Sequence, residues 1–237
     1  MRAKSLYVSA AKGLRRGAAA AGVLDAWDRR ARESRGWCWS RSLLAVYDFD
    51  DLVALDVPWW TFAASDRIDD FLRSRPASRV FEWGSGASTV WLAKRAATVV
   101  AVEHDQSWSE MVGRALPANA RVQFVPPQPI AGQPHPVRSA KAGFENLDFA
   151  AYTEQIDVEG GHFDVIVIDG RARETCLPRA LDHLAPGGVI VFDNVDRARY
   201  REAIRAQGPR IWVEWTRGLT PCLPYPTRTA LVSSAGS

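Results

Sequence analysis

The stretch 79–94 limits the possible folds of this 237-residue chain more than any other part of the sequence. Its pattern predicts a short strand ending near Glu82, a turn containing Gly84 and Gly86, and a helix beginning at Ser88 or Thr89. Glycines let a backbone approach a ligand closely, and the free N–H groups of a helix start can bind oxygen atoms. The stretch therefore predicts a cradle for a polar small molecule.

Apolar strand patterns and helix patterns alternate after residue 79, which predicts an α/β fold with a doubly wound, mostly parallel sheet. The predicted strands are 79–83, 98–103, 120–125, 163–169 and 187–193, with a turn at Pro186–Gly188 before the last of them. Helices are expected at about 88–96, 106–115, 173–184 and 196–207. Two more strands are expected at 210–216 and 227–233.

Two parts of the chain differ from this regular pattern. The connection 126–162 is rich in proline and contains one short predicted helix near 149–156. A connection of this length inside a compact domain is usually functional or mobile. Residues 1–56 are expected to form a helical extension, basic and then aromatic-rich, before an α/β domain at 57–237. A further helix is expected from Ser65 or Asp66, with Ser65 as its N-cap.

Charge is unevenly distributed along the chain, although its net value is only +3. Residues 1–35 carry nine Lys/Arg against three Asp/Glu, so the rest of the chain is slightly acidic. The α/β body is therefore not expected to bind nucleic acid. The basic segment fits either a solvated helix or a weak contact with an anionic membrane surface.

The three cysteines are widely spaced and form no CxxC pair. They fit neither a disulfide framework nor a zinc site, which favours a reducing compartment. No apolar run reaches the roughly eighteen residues that a membrane helix needs. We therefore expect a cytoplasmic protein, with peripheral membrane contact through residues 1–35 as the open question.

Four of the five predicted parallel strands end in a carboxylate. Ligands of open α/β sheets bind at these strand ends, near the point where strand order reverses. So many carboxylates favour a cationic or hydroxyl-rich ligand. The residues are Glu82, Glu103 (followed by His104), Asp169 and Asp193 (followed by Asn194).

Two nucleotide cofactors can be compared at this site. A nicotinamide dinucleotide would want a third glycine where the chain has Thr89, and its pyrophosphate would lie close to Glu82. S-adenosylmethionine has no phosphate and carries an amino group, a sulfonium and a ribose diol. It fits better, with Glu82 facing the amino group and Glu103 accepting both ribose hydroxyls.

The sequence resembles class I S-adenosylmethionine-dependent methyltransferases over about residues 57–233. The resemblance lies in Phe81-Glu-Trp-Gly-Ser-Gly-Ala-Ser-Thr89, Val102-Glu-His-Asp105, Val165-Ile-Val-Ile-Asp-Gly-Arg171 and Leu184-Ala-Pro-Gly-Gly-Val-Ile-Val-Phe-Asp-Asn194. Together with Pro58-Trp-Trp-Thr61, these motifs are similar to a little-characterised bacterial group of such enzymes. The resemblance implies a seven-stranded, Rossmann-like sheet whose last two strands form an antiparallel hairpin.

The strand ends and the resemblance give one set of candidate site residues. Asp169 and Arg171 are expected to be catalytic, and an acceptor pocket is expected near Trp59, Trp60 and Thr61. The 126–162 and 217–226 loops are expected to complete this pocket and its lid. The residues expected to bind the cofactor are Glu82, Gly84, Ser85, Gly86, Ser88, Thr89, Glu103, His104 and Asp169.

A divalent metal such as Mg²⁺ is a further expectation from the resemblance. In catechol-type O-methyltransferases, an Asp after strand four and an Asp-Asn after strand five bind the ion, which corresponds to Asp169, Asp193 and Asn194 here. The lysine base of that family is replaced by Ala172. The alternative for Asp193-Asn194 is that it caps the helix expected near residue 196.

The resulting prediction is an enzyme that moves a methyl group from S-adenosylmethionine to a small-molecule or sugar acceptor, at an oxygen atom. One alternative is a nicotinamide-dependent oxidoreductase or epimerase with the same fold. Another is a non-catalytic binding protein recruited to membranes by residues 1–35.

Overall fold

The computed structural model describes residues 10, 13–18, 20–46, 48–132 and 134–236. Its strands are β1 (Arg79–Trp83), β2 (Thr98–Glu103), β3 (Ala120–Phe124), β4 (Gln128–Pro129), β5 (Leu147–Asp148), β6 (Phe163–Ile168), β7 (Leu184–Asp193), β8 (Ile211–Gly218) and β9 (Thr227–Ser234). Its helices are α1 (Val23–Ala31), α2 (Arg35–Ser42), α3 (Phe49–Leu55), α4 (Phe62–Ser74), α5 (Ala87–Ala93), α6 (Gln106–Gly113), α7 (Ala150–Glu159), α8 (Arg173–Asp182) and α9 (Ala198–Arg205).

Seven of the described strands form one sheet in the order β3-β2-β1-β6-β7-β9-β8. Strands β3, β2, β1, β6 and β7 are parallel. Strand β9 lies between β7 and β8 and is antiparallel to both. The predicted seven-stranded, mostly parallel sheet with a C-terminal antiparallel hairpin is therefore confirmed. Strand order reverses between β1 and β6, where such sheets bind their ligands.

The central strands bury side chains on both faces, as parallel strands covered by helices do. On one face, Phe81 and Trp83 of β1 pack into a core that includes Phe149 of the α7 N-cap and Leu177 of α8. On the other face, Val80 packs into a core formed largely by α4 and α5. Because successive side chains of β1 point to opposite faces of the sheet, the strand packs against helices on both sides.

The N-terminal helices pack against the α/β body. Cys38 of α2 and Leu52 of α3 share a buried cluster with Phe62, Ala87 and Cys222. Residues 13–18 are also helical, while positions 1–9, 11, 12 and 19 lie outside the described residues. The predicted membrane contact of residues 1–35 and the division at 56/57 stay predictions. Among the described residues, no helix has the length and apolar character needed to cross a membrane.

Two local predictions were wrong. The helix before β1 begins at Phe62, because Thr61 rather than Ser65 is its N-cap and accepts a hydrogen bond from the backbone N–H of Ala64. Strand β7 begins at Leu184, which pairs with Phe163 of β6. The expected turn at Pro186–Gly188 is therefore an irregular part of the strand.

The irregular connection 126–162 contains more structure than its sequence indicated. It contains a short antiparallel ladder between β4 and β5, in which Gln128 pairs with Asp148. The expected helix is α7. The ladder closes a loop that returns to the carboxyl end of the sheet.

Candidate active site

A cavity of about 750 Å³ opens at the carboxyl ends of β1, β2, β6 and β7, next to the strand-order reversal. Its size is ordinary for a small-molecule site. It is lined by Trp59, Glu82, Gly84, Ser85, Ser88, Glu103, His104, Asp105, Trp108, Lys141, Phe144, Asp169, Gly170, Arg171, Asp193, Asn194, Asp196, Arg197, Leu223, Tyr225 and Thr227.

Two glycines let the ends of β1 and β6 come together at this cavity. Gly84 has a φ of 95°, and a Cβ there would lie 3.0 Å from Cα of Gly170. A Cβ on Gly170 would lie 1.9 Å from the hydroxyl oxygen of Tyr152. A Cβ on Gly86, by contrast, would have its nearest neighbour 3.8 Å away on Trp108, so it would clash with no protein atom and would occupy space in the turn. Gly84 and Gly170 therefore serve strand packing, and Gly86 leaves room for a ligand.

Glu82 is almost fully buried at the base of the glycine turn. Its carboxylate accepts hydrogen bonds of 2.5 Å from the hydroxyls of Ser88 and Thr89 in the first turn of α5. Burial, with a smaller contribution from the charges of Asp169 and Glu103, raises the pKa of Glu82 to about 8, although the two hydroxyl hydrogen bonds lower it. Glu82 is thus a neutral acid near pH 7 that a bound cation would ionise.

Thr89 explains why this turn does without a third glycine. Its hydroxyl accepts a 3.0 Å hydrogen bond from the backbone N–H of Gly86 while it donates to Glu82. Thr89 therefore ties the turn to the carboxylate below it. A hydroxyl at this position has a local structural role that glycine cannot perform.

Glu103 at the end of β2 has the opposite electrostatic state. Burial alone would raise its pKa, but the His104 side chain and backbone N–H groups hold the pKa below its usual value. It accepts hydrogen bonds from the N–H and the hydroxyl of Ser85, and from the backbone N–H groups of His104 and Asp105. Glu103 is therefore an ionised acceptor at the cavity wall.

His104 links β2 to the long connection. Its Nε2 accepts a 3.2 Å hydrogen bond from Nε of Arg171, and its Nδ1 lies 2.5 Å from Oε1 of Glu103. The ring of Phe144 lies 5.4 Å from the His104 ring, and the Arg171 guanidinium lies 5.6 Å from the Phe144 ring. His104, Phe144 and Arg171 therefore form one wall of the cavity, which is both aromatic and cationic.

Asp169 lies in the cavity wall and is paired with a buried arginine. The NH2 nitrogen of Arg173 is 2.6 Å from Oδ1 of Asp169. Burial raises the pKa of Asp169, and the charge of Arg173 opposes that rise. The sequence did not indicate this contact of Arg173.

Asp193 and Asn194 also reach the cavity, and both oxygens of Asp193 have protein donors. Its Oδ1 accepts a 2.7 Å hydrogen bond from Thr229, and its Oδ2 accepts one from the Asn194 amide. Burial raises the pKa of Asp193 to about 7, with a contribution from the charge of Asp169. Neither residue is the N-cap of α9, which is Arg197.

The three residues predicted near the acceptor are in different environments. Trp59 lines the cavity. Trp60 is fully buried in the core, 6.0 Å from the ring of Trp91. Thr61 is also buried, where its hydroxyl is 2.6 Å from that of Thr216. Only Trp59 of this trio is brought to the cavity surface.

Several lining residues were not identified from the sequence. Lys141 and Phe144 come from the long connection, whose length was the available signal. Leu223 and Tyr225 come from the loop between β8 and β9, which was expected to help form the acceptor pocket although neither residue was named. Trp108 follows the second strand, and its indole N–H donates to the carbonyl of Ser85 at 2.7 Å.

None of the described residues forms a group of three or more His, Cys, Asp or Glu side chains able to hold a metal ion. The predicted set of Asp169, Asp193 and Asn194 does come to one side of the cavity. Its carboxylates, however, are committed to a guanidinium, a hydroxyl and an amide. This donor arrangement does not fit a divalent ion.

Residues 81–195 match a family model described as "Methyltransferase domain". No curated protein sequence is significantly similar to the chain.

Solved structures share the fold at low sequence identity. An O-methyltransferase from Bacillus cereus in complex with SAH is 18% identical, with a TM-score of 0.55 over 81% of this chain and 90% of that one. The O-methyltransferase TomG from Streptomyces achromogenes, in complex with SAM, is 17% identical, with a TM-score of 0.57 over 84% and 89%. An rRNA methylase from Streptococcus thermophilus is 15% identical, with a TM-score of 0.50 over 71% and 94%.

The matched residues include the glycine turn, the cavity carboxylates Glu82 of β1 and Glu103 of β2, and the ends of β6 and β7. The strand order and the shared fold agree with it. Residues 81–195 therefore form a methyltransferase domain, with the fold of the class I S-adenosylmethionine-dependent methyltransferases.

Proposed function

We propose that the enzyme transfers the methyl group of S-adenosylmethionine to an oxygen atom of a small-molecule or sugar acceptor. The observation that carries this proposal is the pair of buried carboxylates, Glu82 and Glu103, beside the glycine turn in one cavity. Two structures of the same fold are named as O-methyltransferases, which favours oxygen.

The residues around the turn fit this cofactor. The ammonium group would meet Glu82, and the ribose hydroxyls would bind Glu103 by displacing the hydroxyl of Ser85. The space beside Gly86, which a Cβ would enter, accepts the cofactor backbone near Trp108. His104, Phe144 and Arg171 offer flat surfaces for the adenine.

The protein would contribute to the reaction mainly by positioning the cofactor and the acceptor. When bound, the cofactor would supply an electrophilic methyl group for in-line displacement by an acceptor hydroxyl, whose proton is lost to solvent while the sulfur keeps the electron pair of the broken bond as S-adenosylhomocysteine. Asp169 would orient the amino group and the acceptor, while Arg171 holds His104 in place. Orientation and exclusion of water can supply much of the rate enhancement.

The acceptor would bind on the side of the cavity away from the glycine turn. Trp59, Arg197, Leu223 and Tyr225 line the cavity and offer it apolar and cationic groups. Trp60 and Thr61 would support Trp59 from the core rather than contact the acceptor. The limited cavity volume favours a small molecule or a single sugar residue over a macromolecule.

Calorimetric titration with S-adenosylhomocysteine tests the proposal. We expect saturable binding by the wild-type protein and a loss of about tenfold or more in affinity for Glu103→Gln, since a charged hydrogen-bond acceptor is removed. Glu110→Gln, on the exposed face of α6, is the matched control. Absence of wild-type binding, or equal affinity in Glu103→Gln, would contradict the cofactor assignment. Release of S-adenosylhomocysteine with panels of phenols, sugars and amines then tests the acceptor class.

A further inference from the structure

We infer that the guanidinium of Arg173 is the permanent cation of this site, so that the site holds no divalent metal ion and methyl transfer requires none. The inference rests on the proposed function above. It differs from the metal-dependent chemistry that the sequence resemblance implied for Asp169, Asp193 and Asn194.

Arg173 is almost fully buried and ties together the ends of β6 and β7. Its Nε donates to the carbonyl of Gly170 at 3.0 Å, and NH1 donates to the carbonyl of Asp193 at 2.8 Å. NH2 donates to the carbonyl of Asp169 and lies 2.6 Å from the carboxylate of the same residue. The ring of Tyr200 is 5.5 Å from the guanidinium carbon. This geometry fixes a positive charge next to two strand-end carboxylates.

The charges around Arg173 match this arrangement. Asp193 is buried and Asp169 is partly exposed at the cavity, and the guanidinium of Arg173 lies between the carboxylate of Asp169 and the carbonyl of Asp193. Because Arg remains protonated at all relevant pH values, the compensating charge is always present.

A divalent ion would have to displace donors that the protein already supplies. Oδ1 of Asp193 is bonded to Thr229, Oδ2 to the Asn194 amide, and Oδ1 of Asp169 to Arg173. The ion would also lie next to a buried guanidinium, where like charges repel strongly in a low dielectric. Hard dications need several free oxygen ligands, and this site offers few.

Titration with Mn²⁺, followed by electron paramagnetic resonance in the presence of S-adenosylhomocysteine, tests the inference without an acceptor. For the wild type we expect the same free Mn²⁺ signal as for Asp193→Asn. Wild-type binding that Asp193→Asn abolishes would overturn the inference.

Arg173→Met tests the role of the positive charge. Without the guanidinium, Asp169 and Asp193 are uncompensated, and we expect Mn²⁺ affinity to rise by about tenfold or more. Arg199→Met is the matched control, because Arg199 lies over the same Tyr200 ring at 4.7 Å but pairs with Glu174. A folded Arg173→Met protein with no gain in Mn²⁺ binding would also overturn the inference. If that variant does not fold, the comparison of wild type with Asp193→Asn decides alone.

The two hypotheses can fail separately. Failure of S-adenosylhomocysteine to bind in calorimetry rejects the proposed function, whatever the Mn²⁺ result. Binding of S-adenosylhomocysteine together with wild-type Mn²⁺ binding at Asp193 keeps the proposed function and rejects the role of Arg173.

Discussion

The hydroxyl of Ser88 donates a 2.5 Å hydrogen bond to the buried carboxylate of Glu82, across the glycine turn that separates α5 from β1. This bond and the similar one from Thr89 lower the pKa of Glu82, but burial outweighs them. The helix start therefore holds a carboxyl group that is neutral near pH 7 without ligand. The stability of the protein and its ligand binding should both depend on this proton.

Replacement of Glu82 by Gln should flatten the dependence of stability on pH. The pKa of Glu82 is raised from 4.5 to about 8 in the folded protein. Its stabilising contribution is therefore complete below pH 4.5 and is lost as pH rises through 8. Between pH 5.5 and 8.5 the ligand-free wild type should lose about 3 kcal/mol more unfolding free energy than Glu82→Gln. Urea denaturation at several pH values measures this, and parallel curves for the two proteins would contradict it.

Binding of S-adenosylhomocysteine at pH 7 should release a proton from Glu82. An ammonium group beside the carboxyl lowers its pKa, so the neutral acid becomes ionised in the complex. The apparent binding enthalpy should then vary with the ionisation enthalpy of the buffer. Glu82→Gln should lose that part of the variation. Equal enthalpies in phosphate and Tris would argue against contact between the amino group and Glu82.

Sequence patterns predicted the sheet because its central strands are continuous apolar runs that end in carboxylates. Glu82 and Glu103 both line the cavity, since parallel strands all end at the same edge of the sheet. Their opposite proton states were not predictable. These depend on how deeply each carboxyl group is buried and, for Glu103, on hydrogen bonds from the His104 side chain and from backbone N–H groups, which are set by the folded structure.

The acceptor side was less accessible to sequence reasoning. Trp60 and Trp59 are neighbours in the chain with the same side chain, yet one is in the core and the other at the cavity. No periodicity distinguishes them, because the chain is turning into α4 at this point. Arg173 was equally hidden, since an arginine in the first turn of a helix is ordinarily solvated.

Gly170→Ala should destabilise the protein strongly. A Cβ there would lie 1.9 Å from the hydroxyl oxygen of Tyr152 and 2.8 Å from the backbone nitrogen of Gly84. We expect a loss of about 3 kcal/mol in unfolding free energy, as for other overpacked sites. Gly218→Ala is the matched control, because a Cβ at Gly218 has no atom within 4 Å.

Addition of Tyr152→Phe should recover part of the loss in Gly170→Ala, because it removes the nearest clashing atom. The backbone contact with Gly84 remains, so recovery should be incomplete. Strict additivity of the two substitutions in a double-mutant cycle would show that the Tyr152 hydroxyl is not the obstacle.

Removal of residues 1–56 should loosen the loop between β8 and β9, although the predicted domain boundary lies at residue 57. The indole N–H of Trp39 donates to the carbonyl of Leu223 at 2.8 Å, and the hydroxyl of Ser42 accepts from the N–H of Cys222 at 2.9 Å. Cys222 has a φ of 67°, a conformation that costs energy for a residue other than glycine. Deletion of α2 removes both hydrogen bonds, which hold the loop in that conformation.

A chain that begins at residue 57 should therefore be cut by proteases within 219–226 faster than a chain that begins at residue 20, which keeps α1 to α3. Its melting temperature should also fall, because Phe62 and Ala87 lose their apolar cover from Cys38 and Leu52. Limited proteolysis with mass spectrometry and thermal denaturation measure the two effects. Equal cleavage rates and equal melting temperatures would mean that residues 57–237 form an independent domain and that the N-terminal helices do not position the loop.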